Sequence, residues 1–405
     1  MKLKSVFFID NFFVLNLLFF LYFISSLFPN SDSAKLIYFV NVLFIFVVTV
    51  FLMSNRKRII IDKNIFFLFF CLGLSYFPLL SIFKLPHIYV VIFYIKCVSI
   101  YLFFKNSNLS SNDVVAVINK WFVFYACLSL LFWLNILPNP NASDFLFKEE
   151  FEVNFFGFSY YVLPGIEGSP ANIDSYSGLV LLLNIFVTKD AQYRKLAVLL
   201  SITCIVASLR MTPIVALFLL FSLSVFLQKK TYFLIFYYFY IVSVFTIIYL
   251  LMVYPDLKVF NVNLTYLAYL ATHARTMIWV QQIDVLLNNY DVIDYIIGNY
   301  DVELFKVPTY QLTGAETGNF QSNPHNTFLL LLFRSPFLFV LFSLWISYLF
   351  TSKVDRGYYI PILFVMLACF TNSSIFSLEN PIYLVVIIFS GLCVANRMEG
   401  VGELF

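Results

Sequence analysis

Long apolar runs broken by short polar stretches make up this chain. A membrane-spanning helix needs about 20 mostly apolar residues. Such runs occur at 6–28, 34–53, 65–83, 88–104, 117–137, 173–188, 196–209, 212–227, 231–253, 326–350, 357–372 and 379–396. Two short runs, 196–209 and 212–227, are parted by Arg210 and Pro213, so they read as two spans or as one bent or re-entrant unit. Two polar stretches, 138–173 and 254–325, exceed the other connections in length. Connections this long are usually functional or disordered, and their aromatic content argues against disorder. In the second, Met277, Trp279, Val280, Ile283, Leu286 and Leu287 recur near the helical period. That spacing predicts an amphipathic helix from Met277 to Leu287 on the outer membrane surface. The pattern therefore predicts an all-α, polytopic membrane protein: one integral membrane domain over 1–405 with about 12 transmembrane helices and a large outer loop between helices 9 and 10.

Composition agrees with the pattern. The chain is 61% hydrophobic and 12% charged, against soluble averages of about 45–50% and about 25%. With so few polar residues, most side chains face lipid or one another. The net charge of +3 and a longest basic run of only Arg56-Lys57-Arg58 give no support for nucleic acid as a partner. With the N-terminus inside, Lys2, Lys4, Arg56 to Arg58, Lys63, Lys105, Lys120, Lys189, Arg194, Lys195, Lys229, Lys230, Lys353, Arg356 and Arg397 all fall on the cytoplasmic side, and most acids fall outside. Both termini are then cytoplasmic. The segment Met1 to Phe28 contains Asp10 and Asn11 and lacks a small-residue cleavage site, so it reads as the first retained helix. All six cysteines lie in or beside expected spans, which fits buried apolar residues and offers no disulfide framework.

The chain has no Walker loop, no GxGxxG, no HExxH and no CxxC, so nucleotide, cofactor and zinc chemistry have no motif behind them. The intramembrane charges are read as Asp10, Lys96 and Arg334, fewer than an ion-coupled transporter is expected to bury. Polar groups instead gather on the outer side. Arg210 lies at the junction of two short spans, Arg275 follows His273 after the ninth span, and His325-Asn326 precedes the tenth. Read singly, each has a structural role open to it, as an interfacial arginine or a helix-capping histidine. Taken together they suggest a site.

Ser208-Leu209-Arg210, then Arg275 to Trp279 as Arg-x-x-x-Trp, then Ile296-Ile297-Gly298-Asn299-Tyr300, and finally Pro324-His325-Asn326-Thr327-Phe328-Leu329 form an ordered series. In order, spacing and helix layout this series resembles the bacterial O-antigen polymerase (Wzy-type) and O-antigen ligase superfamily, over roughly Gly165 to Asn380. The following helix departs from that pattern, reading Leu332-Phe333-Arg334-Ser335-Pro336 where the family often carries an acid and glycines.

The resemblance implies a GT-C-like membrane glycosyltransferase in the inner membrane of a Gram-negative bacterium, with a periplasmic active site. Its substrates would be oligosaccharides carried on undecaprenyl diphosphate, and a chain-length regulator protein would be a partner beside the lipid bilayer. Breaking the donor bond develops charge on a diphosphate, which guanidinium forks suit. Arg210 and Arg275 are therefore assigned to the diphosphate. A neutral histidine is the usual base near pH 7, so His325 is the expected catalytic base, with Asn326 orienting it or the sugar. Glu167, Ser169 and Asn172 are candidate sugar contacts, with Gly165 and Gly168 allowing close backbone approach; a plain turn is the other reading of that stretch. No metal and no cofactor are expected, and direct attack predicts inversion. Polymerase is the expected activity; a ligase acting on lipid A-core, or a flippase for lipid-linked glycans, are the alternatives.

Overall fold

In the computed structural model, the residues described are 11–27, 42–50, 98–107, 109–138, 152–155, 158–163, 165, 170–208, 211–254, 258–259, 262–265, 275–297, 306–310, 316–321, 329, 332, 336–337, 339–340, 343–344 and 356–368. They are mostly helical: α1 (Asn11–Leu27), α2 (Ser111–Trp133), α3 (Pro170–Leu182), α4 (Arg194–Ser208), α5 (Met211–Ser222), α6 (Ser224–Leu227), α7 (Lys230–Val253), α8 (Arg275–Asn289), α9 (Val292–Ile297) and α10 (Tyr359–Ala368). Residues 42–50 and 98–106 are helical as well. Apart from α8 and α9, which lie in the polar stretch 254–325, these helices overlap the expected apolar runs. The expected spans 65–83 and 379–396 lie outside the described residues.

Among the described residues two helices, α2 and α7, are long and apolar enough to cross a membrane. Their sequences show why. At 1.5 Å per residue, the 24 residues of α7 reach about 36 Å, beyond the roughly 30 Å hydrocarbon core. Thr231 to Val253 contains no charge. Phe233, Tyr237, Ile241, Ile248 and Leu251 form a buried stripe at helical spacing, while Ile235, Phe239, Val242 and Tyr249 on the other faces are exposed. A helix apolar all round yet exposed on most of its surface suits lipid and not water. In α2 the start is fixed by a capping box, in which Ser110 Oγ accepts from the Asp113 amide and Asp113 accepts from the Ser110 amide.

The helix around which the others assemble is α3. Every residue from 172 to 184 is buried, and α3 packs on α2, α4, α5 and α10, most extensively on α4. Gly178 permits the approach of α10, because a Cβ there would lie 2.2 Å from Cζ of the buried Phe364. Tyr176 sets its ring edge-on to Phe122 and to Tyr125 of α2, at 5.2 and 5.6 Å between centroids.

At its C-terminal end α3 runs into a π-helical turn, Leu183–Val187. Asn184 in that turn exchanges two amide hydrogen bonds with Asn119 of α2, at 2.8 and 2.7 Å. Widening a helix to π geometry disturbs the regular carbonyl ladder, and Arg194 answers here by donating to the Asn184 carbonyl at 3.0 Å and the Lys189 carbonyl at 3.1 Å.

The long polar stretches are not purely irregular or helical. Among their described residues are three antiparallel hairpins: β1–β2 (Glu152–Phe155 with Phe158–Tyr161), β3–β4 (Lys258–Val259 with Val262–Asn263) and β5–β6 (Val307–Tyr310 with Glu316–Gln321). The all-α expectation therefore holds for the helical body and is amended in the loops. The predicted amphipathic helix is α8, two residues longer at each end than expected. Trp279, Ile283 and Leu286 bury against Ile248 of α7 and Val307 of β5. Leu287, placed on the same face from sequence, is 58% exposed; one residue beyond Leu286, it points about 100° away.

Candidate active site at the head of the central helix

Four polar residues stand near the N-terminal end of α3: Asn172, Asp174, Ser175 and Ser177, all buried. Asp174 has no exposed surface at all. Ser175 Oγ donates to Asp174 Oδ1 at 2.9 Å, and Ser177 Oγ donates back to the Ile173 carbonyl at 2.6 Å. Taking a carboxylate out of water is costly without charge or hydrogen-bond compensation. A carboxyl group at such a position is therefore a functional candidate.

The tail of α4 lies beside this polar head. Cys204 of α4 is in hydrogen-bonding contact with Ser177. The start of α4 is tied to the far end of α3 by the Arg194 to Asn184 carbonyl bond, so the two helices run antiparallel and the last turn of α4 lies next to the first turns of α3. Ser208, at the end of α4, is buried and donates to the Ile205 carbonyl at 3.0 Å. The polypeptide after β2 closes over the same place: the Leu163 amide donates to the Ala207 carbonyl at 3.0 Å. That bond satisfies a carbonyl that α4 itself leaves open at its C-terminus. Gly165, two residues on, is buried and has φ 72°, a left-handed conformation that a side chain would strain. Its glycine is thus required by the backbone conformation.

Of the residues assigned from sequence, Asn172 and Arg275 are described, besides Gly165. Asn172 is at the head of α3 and buried, as a sugar contact or a structural amide would be. Arg275 is the first residue of α8 and partly exposed; the same helix buries Thr276 and Gln282. The two lie on different helices, α3 in the main core and α8 on the second cluster, and these clusters share Val244 and Phe245 of α7. Arg210, His325, Asn326, Glu167 and Ser169 lie outside the described residues, as does Gly168. The flanks of Arg210 are described: α4 ends at Ser208 and α5 begins at Met211.

Asp174 was not among the residues assigned from sequence, although it falls inside the expected span 173–188. Asp10, Lys96 and Arg334, the charges expected within spans, lie outside the described residues. Lys105, read as an inner-surface anchor, is also buried. Cysteine burial holds for Cys204 but not for Cys127, which is exposed on α2. No group of three or more His, Cys, Asp or Glu suited to a metal ion occurs among the described residues. Comparison with known proteins finds no matching family model, no matching curated protein and no matching solved structure.

Proposed function

We propose that this chain is a membrane glycosyltransferase, an O-antigen polymerase that joins undecaprenyl-diphosphate-linked repeat units at the periplasmic face. The reading includes twelve spans with both termini cytoplasmic and a GT-C-like arrangement. Its sequence support is the ordered series from Ser208-Leu209-Arg210 through Arg275 to Pro324-His325-Asn326. The observation that carries it furthest is the wholly buried Asp174, set beside the tail of α4, the helix that leads in sequence to Arg210.

In this reading the hydroxyl of the acceptor sugar attacks the anomeric carbon of the donor. The bond from that carbon to the diphosphate oxygen breaks, and inversion results. His325 takes the hydroxyl proton. Arg210 and Arg275 stabilise the charge left on the lipid diphosphate. Asp174 orients a guanidinium, and Asn326, Asn172, Glu167 and Ser169 hold sugar. The guanidiniums carry the charge role, so neither a metal nor a cofactor is needed.

Purified protein given only a lipid-linked repeat unit is expected to produce a ladder of longer glycans, and His325→Ala is expected to abolish it. Product formed only after lipid A-core is added would assign a ligase instead. A buried intramembrane carboxylate also favours a second reading, a transporter of lipid-linked glycans. Translocation across vesicles with unchanged glycan length would select that reading.

A further inference from the structure

A second feature lies away from the head of α3, along the seam between α1 and α2. These helices run side by side in register: Lys120 Nζ donates to Asn16 Oδ1 at 3.2 Å, Phe20 packs on Trp121 at 5.9 Å between centroids, and Phe23 packs on Phe124 at 4.6 Å. Between them is a groove of about 590 Å³, bordered by Phe20, Phe23, Trp121, Phe124 and Cys127, with Lys120 and Tyr193 at one end. Its volume is within the roughly 300–1,000 Å³ of ordinary ligand sites. Phe20 and Phe124 are 43% and 51% exposed, so the groove opens outward.

The polar end is basic and structurally fixed. The Gln192 carbonyl accepts from Asn119 Nδ2 at 3.1 Å, which ties the segment Lys189 to Lys195 to α2 next to Lys120. That segment presents Lys189 and Lys195 as exposed cations and holds Arg194 on backbone carbonyls; Asp190 is its one acid. Tyr193, at the rim, has φ 61°. A bulky residue in the left-handed region is a true outlier, and such strain gathers where a ligand is clamped. Asn16 uses one of the three donors of the Lys120 ammonium.

An apolar trough that ends in an ammonium, a phenol and further cations matches one chemistry, an acyl chain ending in a phosphate. We propose that the groove between α1 and α2 seats a chain of an anionic phospholipid of the surrounding bilayer, with its phosphate against Lys120 and Tyr193. The proposal requires that the chain be membrane-embedded; it does not require glycosyl transfer.

The test uses full-length protein reconstituted in phosphatidylcholine bilayers containing either brominated phosphatidylglycerol or brominated phosphatidylcholine, with quenching of tryptophan fluorescence as readout. The difference between the native protein and Trp121→Phe isolates the residue in the groove. Brominated phosphatidylglycerol is expected to quench Trp121 with about fivefold higher relative affinity, the factor that one basic residue near an anionic headgroup supplies. Lys120→Gln is expected to bring the two lipids to parity, and Lys120→Arg to keep the preference. Cys127→Phe, which fills the trough, is expected to weaken quenching by both lipids. Equal quenching by the two lipids in the native protein, or an unchanged preference in Lys120→Gln, would overturn the proposal. Translocation without polymerisation would defeat the glycosyltransferase reading and leave this result untouched.

Discussion

The two ends of α3 are both polar and both buried, but they are built differently. At the C-terminal end, Asn184 and Asn119 satisfy each other through two hydrogen bonds, with Val180, Gln192 and Arg194 taking up further groups. Every partner there is neutral or a cation on backbone carbonyls, a self-contained lock between α2 and a π turn. At the N-terminal end, Asp174 brings a carboxylate into the protein interior; the chain after it offers the hydroxyls of Ser175 and Ser177, and Leu163, before it, makes a backbone bridge to the tail of α4. A reciprocal amide pair needs nothing further to explain it. A buried acid does, which is why the functional reading is centred on the head of α3 and not on its foot.

Substitutions can separate the two ends. The largest effect is expected at Asp174: Asp174→Asn keeps the shape and removes the charge, and ladder synthesis should fall by about 100-fold or more, the scale of losing one electrostatic contributor to a transition state. Gly178→Val, midway along α3, should be the strongest purely structural change. Its side chain would collide with the buried ring of Phe364, and overpacking of this kind costs about 1–3 kcal/mol, read as a lower melting temperature in detergent. Asn119→Ala leaves Asn184 without its reciprocal partner and should cost about 1–3 kcal/mol for the stranded buried group, with ladder synthesis per folded molecule unchanged. Ser208→Ala should be the mildest, about 1 kcal/mol or less, since it removes one hydrogen bond within the last turn of α4.

Much of the helical body was legible. The uncharged run 231–253 is α7 almost residue for residue, and the period of Trp279, Ile283 and Leu286 located α8. The hairpins are hard to read from sequence: β1–β2 resembles an aromatic loop, β3–β4 has strands of only two residues, and β5–β6 is broken by a register shift. A signal was present in β1–β2, where two four-residue strands are separated in sequence by Phe156-Gly157, a spacing that favours a tight turn. The π turn left no trace in periodicity, and the Asn119–Asn184 pair joins residues too far apart in sequence for any local pattern to reveal. Asp174 was legible in principle. It sits at the boundary of the expected span 173–188, where an acid looks like the last residue of a loop.

Asp174 belongs to the proposed chemistry and Asn119 to the scaffold. The direct measurement is ladder synthesis from a lipid-linked repeat unit by purified Asp174→Asn and Asn119→Ala, each normalised to the folded fraction from its melting curve. The account predicts a folded Asp174→Asn protein without a ladder and a less stable Asn119→Ala protein that still makes one. A full ladder from Asp174→Asn would contradict it.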